Sequence, residues 1–529
     1  MNLPLTPLRF LYRAKDLFGR RVGVICDEQS FTYAQLAEHC ERLAAVFRGL
    51  QIAPGDRVAY ISFNSHHLLE GYYGVVMAGG IVMPLNVRLA PSELQCILNH
   101  AGTRFVLYEN DFAATVATLR QACPSVERWL TLDGPADQAG GSLDELLCSA
   151  VAEPMDWTPV DENATAELFY TSGSTGTPKG VTLSHRALYL HALASAVSFG
   201  DCDTRVDLHT IPLFHANGWG MPQAATMMGT KQVMVRRFEP DSVFRLIEQH
   251  RATHLCLVPT MANSLLNSPS LGRYDTSSMR QIMLGGAASS PELIERLERA
   301  FGCAAFGGYG LTETGPIISR ATAKPGLAPA ADPERQRRQS MAGWPVPNTE
   351  IRVVDSQGCD VPRDGNAIGE VVTRGDHNMT GYYRDPDATG MVMKGAWLYT
   401  GDMGVWDEEG YIQIVDRKKE IIISGGENIS SIEVERAIFA HPGVLECAVV
   451  AAPDPYWGEV PAAIVVRKPD SLLSAEELLE FLGHSLGRYK HPRIIQFREE
   501  ALPKTGTGKI RKLVLKEPFW AGLDRRVQG

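Results

Sequence analysis

The chain has 529 residues, 44% of them hydrophobic and 21% charged, and a formal net charge of −10. The length calls for more than one domain, and the balance is that of a globular protein, not a disordered or fibrous one. The acidic excess argues against nucleic acid as a partner, and ten cysteines without a single C-x-x-C pair argue against a disulfide framework or a zinc site.

The N-terminus, Met1 to Pro7, has no basic segment followed by an apolar run, so no signal peptide is read there. Arg57–Ser62 reads as a buried strand. Gly71–Leu85 is the longest apolar stretch; it is too short to span a bilayer and reads as a buried helix followed by a strand. Peripheral membrane association stays open. Ser92–His100 reads as a helix and Arg104–Tyr108 as a strand. Ala166–Tyr170 is a short strand, and a helix is expected from His185 onward. Ser290–Ala300 is a further helix. Thr322–Gln339, rich in Pro, Ala and charge, reads as a loop, with Arg335–Arg338 as its solvated cluster. Such alternation of strands and helices predicts an α/β fold with parallel-rich sheets layered by helices.

After Asp402 the texture changes. Gly410–Val415 is strand-like, and the charged run Asp416–Glu420 follows. Then come a helix (Ser431–Ala440), two strands (Glu446–Ala451, Ala462–Val466) and a helix (Ser474–Leu486). That suffices for a small, separate α+β domain. The division is placed at 415/416, giving domains 1–415 and 416–529.

Between Ala166–Tyr170 and His185 lies Tyr170-Thr-Ser-Gly-Ser-Thr-Gly-Thr-Pro-Lys-Gly180. Its glycines let backbone N–H groups approach an anion, its hydroxyls donate hydrogen bonds, and Lys179 adds charge. A loop of this kind between strand and helix suits phosphate. Four further segments follow in order: Gly307–Gly315 (GGYGLTETG), Tyr399–Asp402, Asp416–Asn428 and Pro503–Ile510. Together they supply what a nucleotide requires. Tyr309 offers an aromatic face for the base, Asp402 a carboxylate for ribose hydroxyls, and Glu313 a carboxylate for Mg²⁺. Lys179, Arg417 and Lys509 are cations for phosphates.

With these five segments in this order, the chain resembles the acyl-adenylate-forming superfamily, over nearly its whole length from Phe31 to Lys512, and most of all its bacterial fatty acyl-CoA synthetases. The resemblance implies an ATP-dependent acid–CoA ligase. A substrate carboxylate attacks the ATP α-phosphorus to give acyl-AMP and pyrophosphate, and the CoA thiol then displaces AMP. It also implies roles. Thr171, Ser172, Gly173, Ser174, Thr175, Gly176 and Lys179 hold the β- and γ-phosphates. Gly285, Gly286 and Ala287 flank the adenine with Tyr309. Thr312 touches the α-phosphate, and Glu313 holds Mg²⁺. Asp402 and Arg417 contact the ribose, and Lys509 is the catalytic lysine. Lys419 sits at the hinge of a mobile C-terminal domain, and Gly425 and Gly426 line the pantetheine tunnel. Residues 1–415 are then the nucleotide- and acyl-binding domain.

The resemblance places Pro212–Trp219 at the acyl site, with His215 near the carboxylate, Trp219 as a gate, and Gly310 nearby. Met221, Ala224, Ala225, Met227, Met228 and Gly229 are small or apolar, and the sequence shows no buried cation or acid there. A medium- or long-chain fatty acid is therefore expected, with an aryl or short aliphatic acid as the alternative and a carrier-protein ligase less favoured. No G-x-S-x-G or H-E-x-x-H segment occurs, as expected when the substrates supply the nucleophiles. ATP, Mg²⁺, CoA and a small carboxylic acid are thus the expected ligands. No transmembrane segment is expected, the setting is cytoplasmic, and a homodimer is compatible with all of this.

Overall fold

In the computed structural model, which describes residues 3–134, 141–171, 178–200, 204–327, 331–424, 427–469, 471–504 and 510–521, the chain divides into two units. One comprises Met1–Glu350 with Thr373–Leu398, the other Ile351–Val372 with Tyr399–Gly529. Along the chain the last crossing falls at Leu398/Tyr399, upstream of the division expected at 415/416.

The first unit holds two large sheets. In one, Ile81–Pro84, Arg57–Ile61, Phe105–Tyr108, Arg128–Thr131 and Gly141–Ser142 run parallel in that spatial order, with Thr165–Thr171 parallel to the other side of Ile81–Pro84. In the other, parallel neighbours run Ala304–Tyr309, Gln281–Leu284, His254–Leu257, Val206–His209, Lys231–Met234 and Val22–Cys26. Parallel strands covered on both faces bury every side chain. Phe105, Val106, Leu107 and Tyr108 are all fully buried, which is why these strands read as unbroken apolar runs.

The helices begin and end where local chemistry dictates. Pro91–Ala101 has proline in its first turn, a Glu93 side chain accepting from the Ala90 N–H (2.8 Å), and Gly102 in the left-handed region after its end. Pro291–Phe301 starts at Ser290, whose hydroxyl accepts from the Leu293 N–H (3.2 Å).

Two expectations change. The helix His185–Phe199 does not follow the phosphate-type loop directly, because Lys179–Ser184 forms a strand antiparallel to Thr165–Thr171, with Thr171 opposite Lys179 and Tyr170 opposite Gly180. These two strands pair as a β-hairpin, and the helix start is capped by Ser184 at the far end of the second strand. Second, Asp332–Gln339 is a helix, not a loop. It lacks an apolar stripe; Arg337 and Arg338 pair with Glu334 one turn back, and Arg335 reaches Glu298 on the helix Pro291–Phe301.

In the second unit, Val444–Asp454 and Gly458–Arg467 form a long antiparallel pair, with Ile494–Arg498 parallel to the latter. Alternate residues separate two cores. Cys447, Val449 and Ala451 join Val434, Ile438, Leu478 and Leu482 of the helices Ser431–Phe439 and Ala475–Leu482. Ala448, Val450 and Ala452 face Leu515 of the helix Lys512–Trp520 instead. A period of two buried on both faces needs helices on both faces, and both are present. Residues 402–406 also pair antiparallel with Ile412–Arg417. Among the described residues, no helix is long and apolar enough to cross a membrane.

Candidate active site

Three backbone contacts in the first unit bring separate segments together. The segment 379–383 lies along the hairpin: the Thr380 N–H donates to the Thr182 carbonyl (3.0 Å) and the Tyr383 N–H to the Gly180 carbonyl (2.7 Å). The Met379 N–H donates to the Glu313 carbonyl (2.8 Å), which ties the turn Thr312–Thr314 to the same place. The strand Lys179–Ser184 and the acidic turn are thus both tied to the segment 379–383, whose Gly381–Tyr382 forms a short strand against Val181 and Thr182.

Side chains follow this backbone. The Tyr382 hydroxyl donates to Glu313 Oε1 (3.0 Å), and the Lys179 ammonium rests 4.8 Å from the centre of the Tyr382 ring. Glu313 is half-buried, and among the described residues its second carboxylate oxygen accepts no hydrogen bond. Thr312 is buried beside it. Lys179, Tyr382, Tyr383, His100 and Asp385 border a cavity of about 300 Å³, where His100 Nδ1 lies 2.6 Å from the Tyr170 hydroxyl. Tyr309 ends the strand Ala304–Tyr309, half-buried. Gly310 after it allows close packing: a Cβ there would stand 1.7 Å from the Pro316 carbonyl oxygen.

The segment after His215 has an unusual backbone. Ala216, Asn217, Gly218, Trp219 and Gly220 all have positive φ, from 43° to 73°. Two of these residues, Ala216 and Trp219, carry side chains that ordinarily avoid this region, at a cost of roughly 1–2 kcal/mol each. Local contacts hold them there. Asn217 Nδ2 (3.3 Å) and Gln223 Nε2 (2.6 Å) both donate to Glu167 Oε1, and all three side chains are buried. Burial pushes the Glu167 carboxyl well above the usual range despite the Gln223 bond. Glu167 Oε2, Asn217 Oδ1 and Gln223 Oε1 are buried there with no hydrogen-bond partner among the described residues. The Trp219 ring lies against Gly285, where a Cβ would stand 3.0 Å from Trp219 Cη2 and 3.3 Å from the Gly308 carbonyl oxygen. The acyl-type segment, the Gly285–Ala287 turn and the strand ending in Tyr309 therefore meet. Gly286 (φ 76°) and Ala287 are exposed on that turn, and His215 is half-buried.

Below Trp219, Phe199, Ile211, Met221, Met283, Phe306 and Ile317 make an apolar cluster. A crevice of about 20 Å³, room for about one water, runs from Gly218 and Met221 along the sheet face to Arg205, Asp207 and His254. Contrary to expectation, a buried cation and acid do stand near this segment. Arg205, 3% exposed, donates from Nε and Nη2 to Asp207 (2.7–3.0 Å). The sequence reading missed this pair because Arg205 precedes its strand, and Glu167 because it sits within an apolar run.

In the second unit the two residues assigned to ribose face each other. Asp402, 3% exposed, pairs across the antiparallel strands with Arg417, whose Nε donates to Asp402 Oδ1 (2.7 Å). The Asp402 N–H donates to the Thr400 hydroxyl (3.1 Å). Next to Arg417, the buried Asp416 carboxylate accepts from the Arg417 and Ser431 N–H groups (2.7 and 2.5 Å). Lys418 bonds Glu370 (2.7 Å), and Lys419 is exposed. The half-buried Lys512 ammonium donates to Ser431 (2.6 Å) and Glu435 (2.8 Å) and lies 3.7 Å from Glu420, so the start of the helix Lys512–Trp520 is fastened to the 416–420 turn. Ser172, Gly173, Ser174, Thr175, Gly176, Gly425, Gly426 and Lys509 lie outside the described residues. Tyr382 was not found from sequence; its only signal was a pair of tyrosines after glycine, which is common in ordinary strands.

Residues 11–383 match the family described as AMP-binding enzyme, and residues 433–509 its C-terminal domain. A long-chain-fatty-acid–CoA ligase of Thermus thermophilus is 36% identical, covering 96% of this chain and 95% of its own. A 2-methylpropanoate–CoA ligase of Humulus lupulus is also 36% identical, covering 97% of this chain and 95% of its own. The ATP-bound structure of MatB from Rhodopseudomonas palustris superposes with a TM-score of 0.87 at 28% identity, covering 98% and 99% of the two chains.

Proposed function

The chain belongs to the AMP-binding enzyme family and is an acid–thiol ligase that uses ATP and CoA; from that premise we propose that its acid is a medium- or long-chain fatty acid. The observation that carries this reading is the apolar cluster of Phe199, Ile211, Trp219, Met221, Met283 and Phe306 beside the left-handed turn. Apolar walls select an acid by the area it buries, about 25 cal/mol per Å².

Adenylation sets two anions against each other, so the site must offset charge. Lys179 and the loop 171–176 hold the β- and γ-phosphates, which become the leaving pyrophosphate. Thr312 donates to the α-phosphate. Tyr309, with the Gly285–Ala287 turn, packs the adenine, and the Asp402–Arg417 pair takes the ribose. Lys509 offsets charge developing at the α-phosphorus. His215 orients the acid carboxylate, with Gly310 leaving it room, and Trp219 gates the acyl group.

The donor set near the phosphates fits Mg²⁺: Glu313 offers one oxygen accepting no hydrogen bond among the described residues, on a half-buried turn. Mg²⁺ keeps waters and substrate phosphates as its other ligands and is held by one or two carboxylates. It would lower the repulsion between acid and triphosphate. Lys419 acts as the hinge of a mobile domain beginning at Asp416, which presents Lys509 in the first step and the Gly425–Gly426 loop, lining the pantetheine path, in the second.

A second reading, a short or aryl acid, is favoured by the crevice, whose 20 Å³ is narrow for a long chain. A panel of saturated acids of two to eighteen carbons with benzoate and cinnamate, scored by ATP- and CoA-dependent AMP release, separates them. The first reading requires the largest kcat/KM at eight carbons or more.

A further inference from the structure

The acidic turn and the phosphate-type hairpin carry opposite charges a short way apart. Each of the two charges meets the same side chain: the Lys179 ammonium lies on the face of Tyr382 (4.8 Å), and Glu313 Oε1 accepts from the Tyr382 hydroxyl (3.0 Å). A phenol suits this position for a physical reason. Its face attracts a cation through the ring quadrupole, and its hydroxyl donates to a carboxylate from the ring edge. One side chain thus serves both charges without neutralising either.

Tyr382 is itself held firmly. It pairs with Val181 across the antiparallel strands, and its N–H donates to the Thr389 hydroxyl (2.8 Å). Its neighbours on both sides bond the hairpin, and Met379 bonds the Glu313 carbonyl. The tyrosine therefore moves with the two segments whose charges it separates.

We propose that Tyr382 is a positioning residue for MgATP: its hydroxyl orients Glu313 so that the second carboxylate oxygen faces the metal, and its ring seats Lys179 for the phosphates. This rests on the assignment of Glu313 to Mg²⁺ and of Lys179 to phosphate. Two substitutions divide the two functions. Tyr382→Phe keeps the ring and removes the hydroxyl; Tyr382→Leu removes both.

The test measures acyl-AMP formation by ATP–pyrophosphate exchange across a Mg²⁺ titration. It also measures ATP binding by calorimetry with and without Mg²⁺, and thioester formation from supplied acyl-AMP. In Tyr382→Phe the Mg²⁺ concentration for half-maximal exchange rises about tenfold, the worth of one hydrogen bond to a charged group. Its Mg²⁺-free ATP binding stays at the wild-type value, and its thioester step stays within about twofold. In Tyr382→Leu, Mg²⁺-free ATP binding weakens as well, by about threefold or more. A wild-type Mg²⁺ response in Tyr382→Phe, together with a shifted response in Glu313→Gln, overturns the proposal alone. A wild-type response in Glu313→Gln overturns the assignment of Glu313 and the proposal with it. Equal losses in both half-reactions of Tyr382→Phe mark a merely structural role and also overturn it.

Discussion

Glu313 and Asp402 are both carboxylates assigned to one nucleotide, yet the chain prepares them in opposite ways. Glu313 stands half-buried on a three-residue turn, with one neutral donor on one oxygen. Asp402 is buried in a strand with a guanidinium already against it. On the proposed roles, the first keeps its charge for a partner that arrives with the substrate. The second has its charge balanced in advance and contributes a fixed acceptor geometry. A site that must bind a polyanion needs both kinds, because unbalanced negative charge beside ATP is tolerable only where a cation comes with it.

Four outcomes would break or sharpen this contrast. Lys509→Ala should have the largest effect: a loss of roughly 10²-fold or more in acyl-AMP formation, with thioester formation from supplied acyl-AMP much less affected. Rapid-quench assays of each half-reaction decide it, and equal losses would mean that the lysine does not act on the first step. Lys419→Pro should spare pyrophosphate release and slow CoA-ester formation, on the order of tenfold, because proline removes the φ freedom that a hinge uses. A parallel fall in both would remove the hinge.

Asp402→Ala comes next. It should weaken ATP binding by up to about tenfold, the loss of one charge-assisted contact, while leaving the Mg²⁺ dependence of exchange unchanged. A shifted Mg²⁺ dependence would erase the distinction from Glu313. The smallest effect concerns pH and the first unit. Burial lowers His66, His185 and His377 from 6.5 to about 4. The unfolded chain takes up these protons first, so the stability they contribute is complete above pH 6.5 and is lost as pH falls towards 4. The slope is on the order of 1 kcal/mol per pH unit for each ring. Urea unfolding between pH 7.5 and 4.5 should show it, and His377→Asn, with its ring removed, should flatten the curve.

How much of this could be read from the chain depended on which physical signal each element used. Strands buried on both faces announced themselves as apolar runs, as did the helices with amphipathic spacing. Lys179–Ser184 did not, because it alternates polar and apolar residues for only six positions next to a glycine-rich loop. Asp332–Gln339 did not either, since its helix rests on arginine–glutamate pairs and a contact to Glu298 instead of an apolar stripe. Of the candidate site, the residues in local motifs were legible: Tyr309, Glu313, Asp402 and Arg417. Tyr382, Glu167 and Arg205 were not, because their significance comes from segments far apart in sequence that only folding brings together.

The run of five positive φ values from Ala216 to Gly220 bears on any effort to change the acid this enzyme accepts. Saturating those five positions would mostly sample chains whose backbone refuses the turn, and losses would say nothing about fit to the acid. Met221, Met283 and Phe306 border the same crevice from ordinary helix and strand geometry. With the acyl group placed as proposed, a library confined to them would vary the shape offered to the acid on an unaltered frame, and its winners could be interpreted.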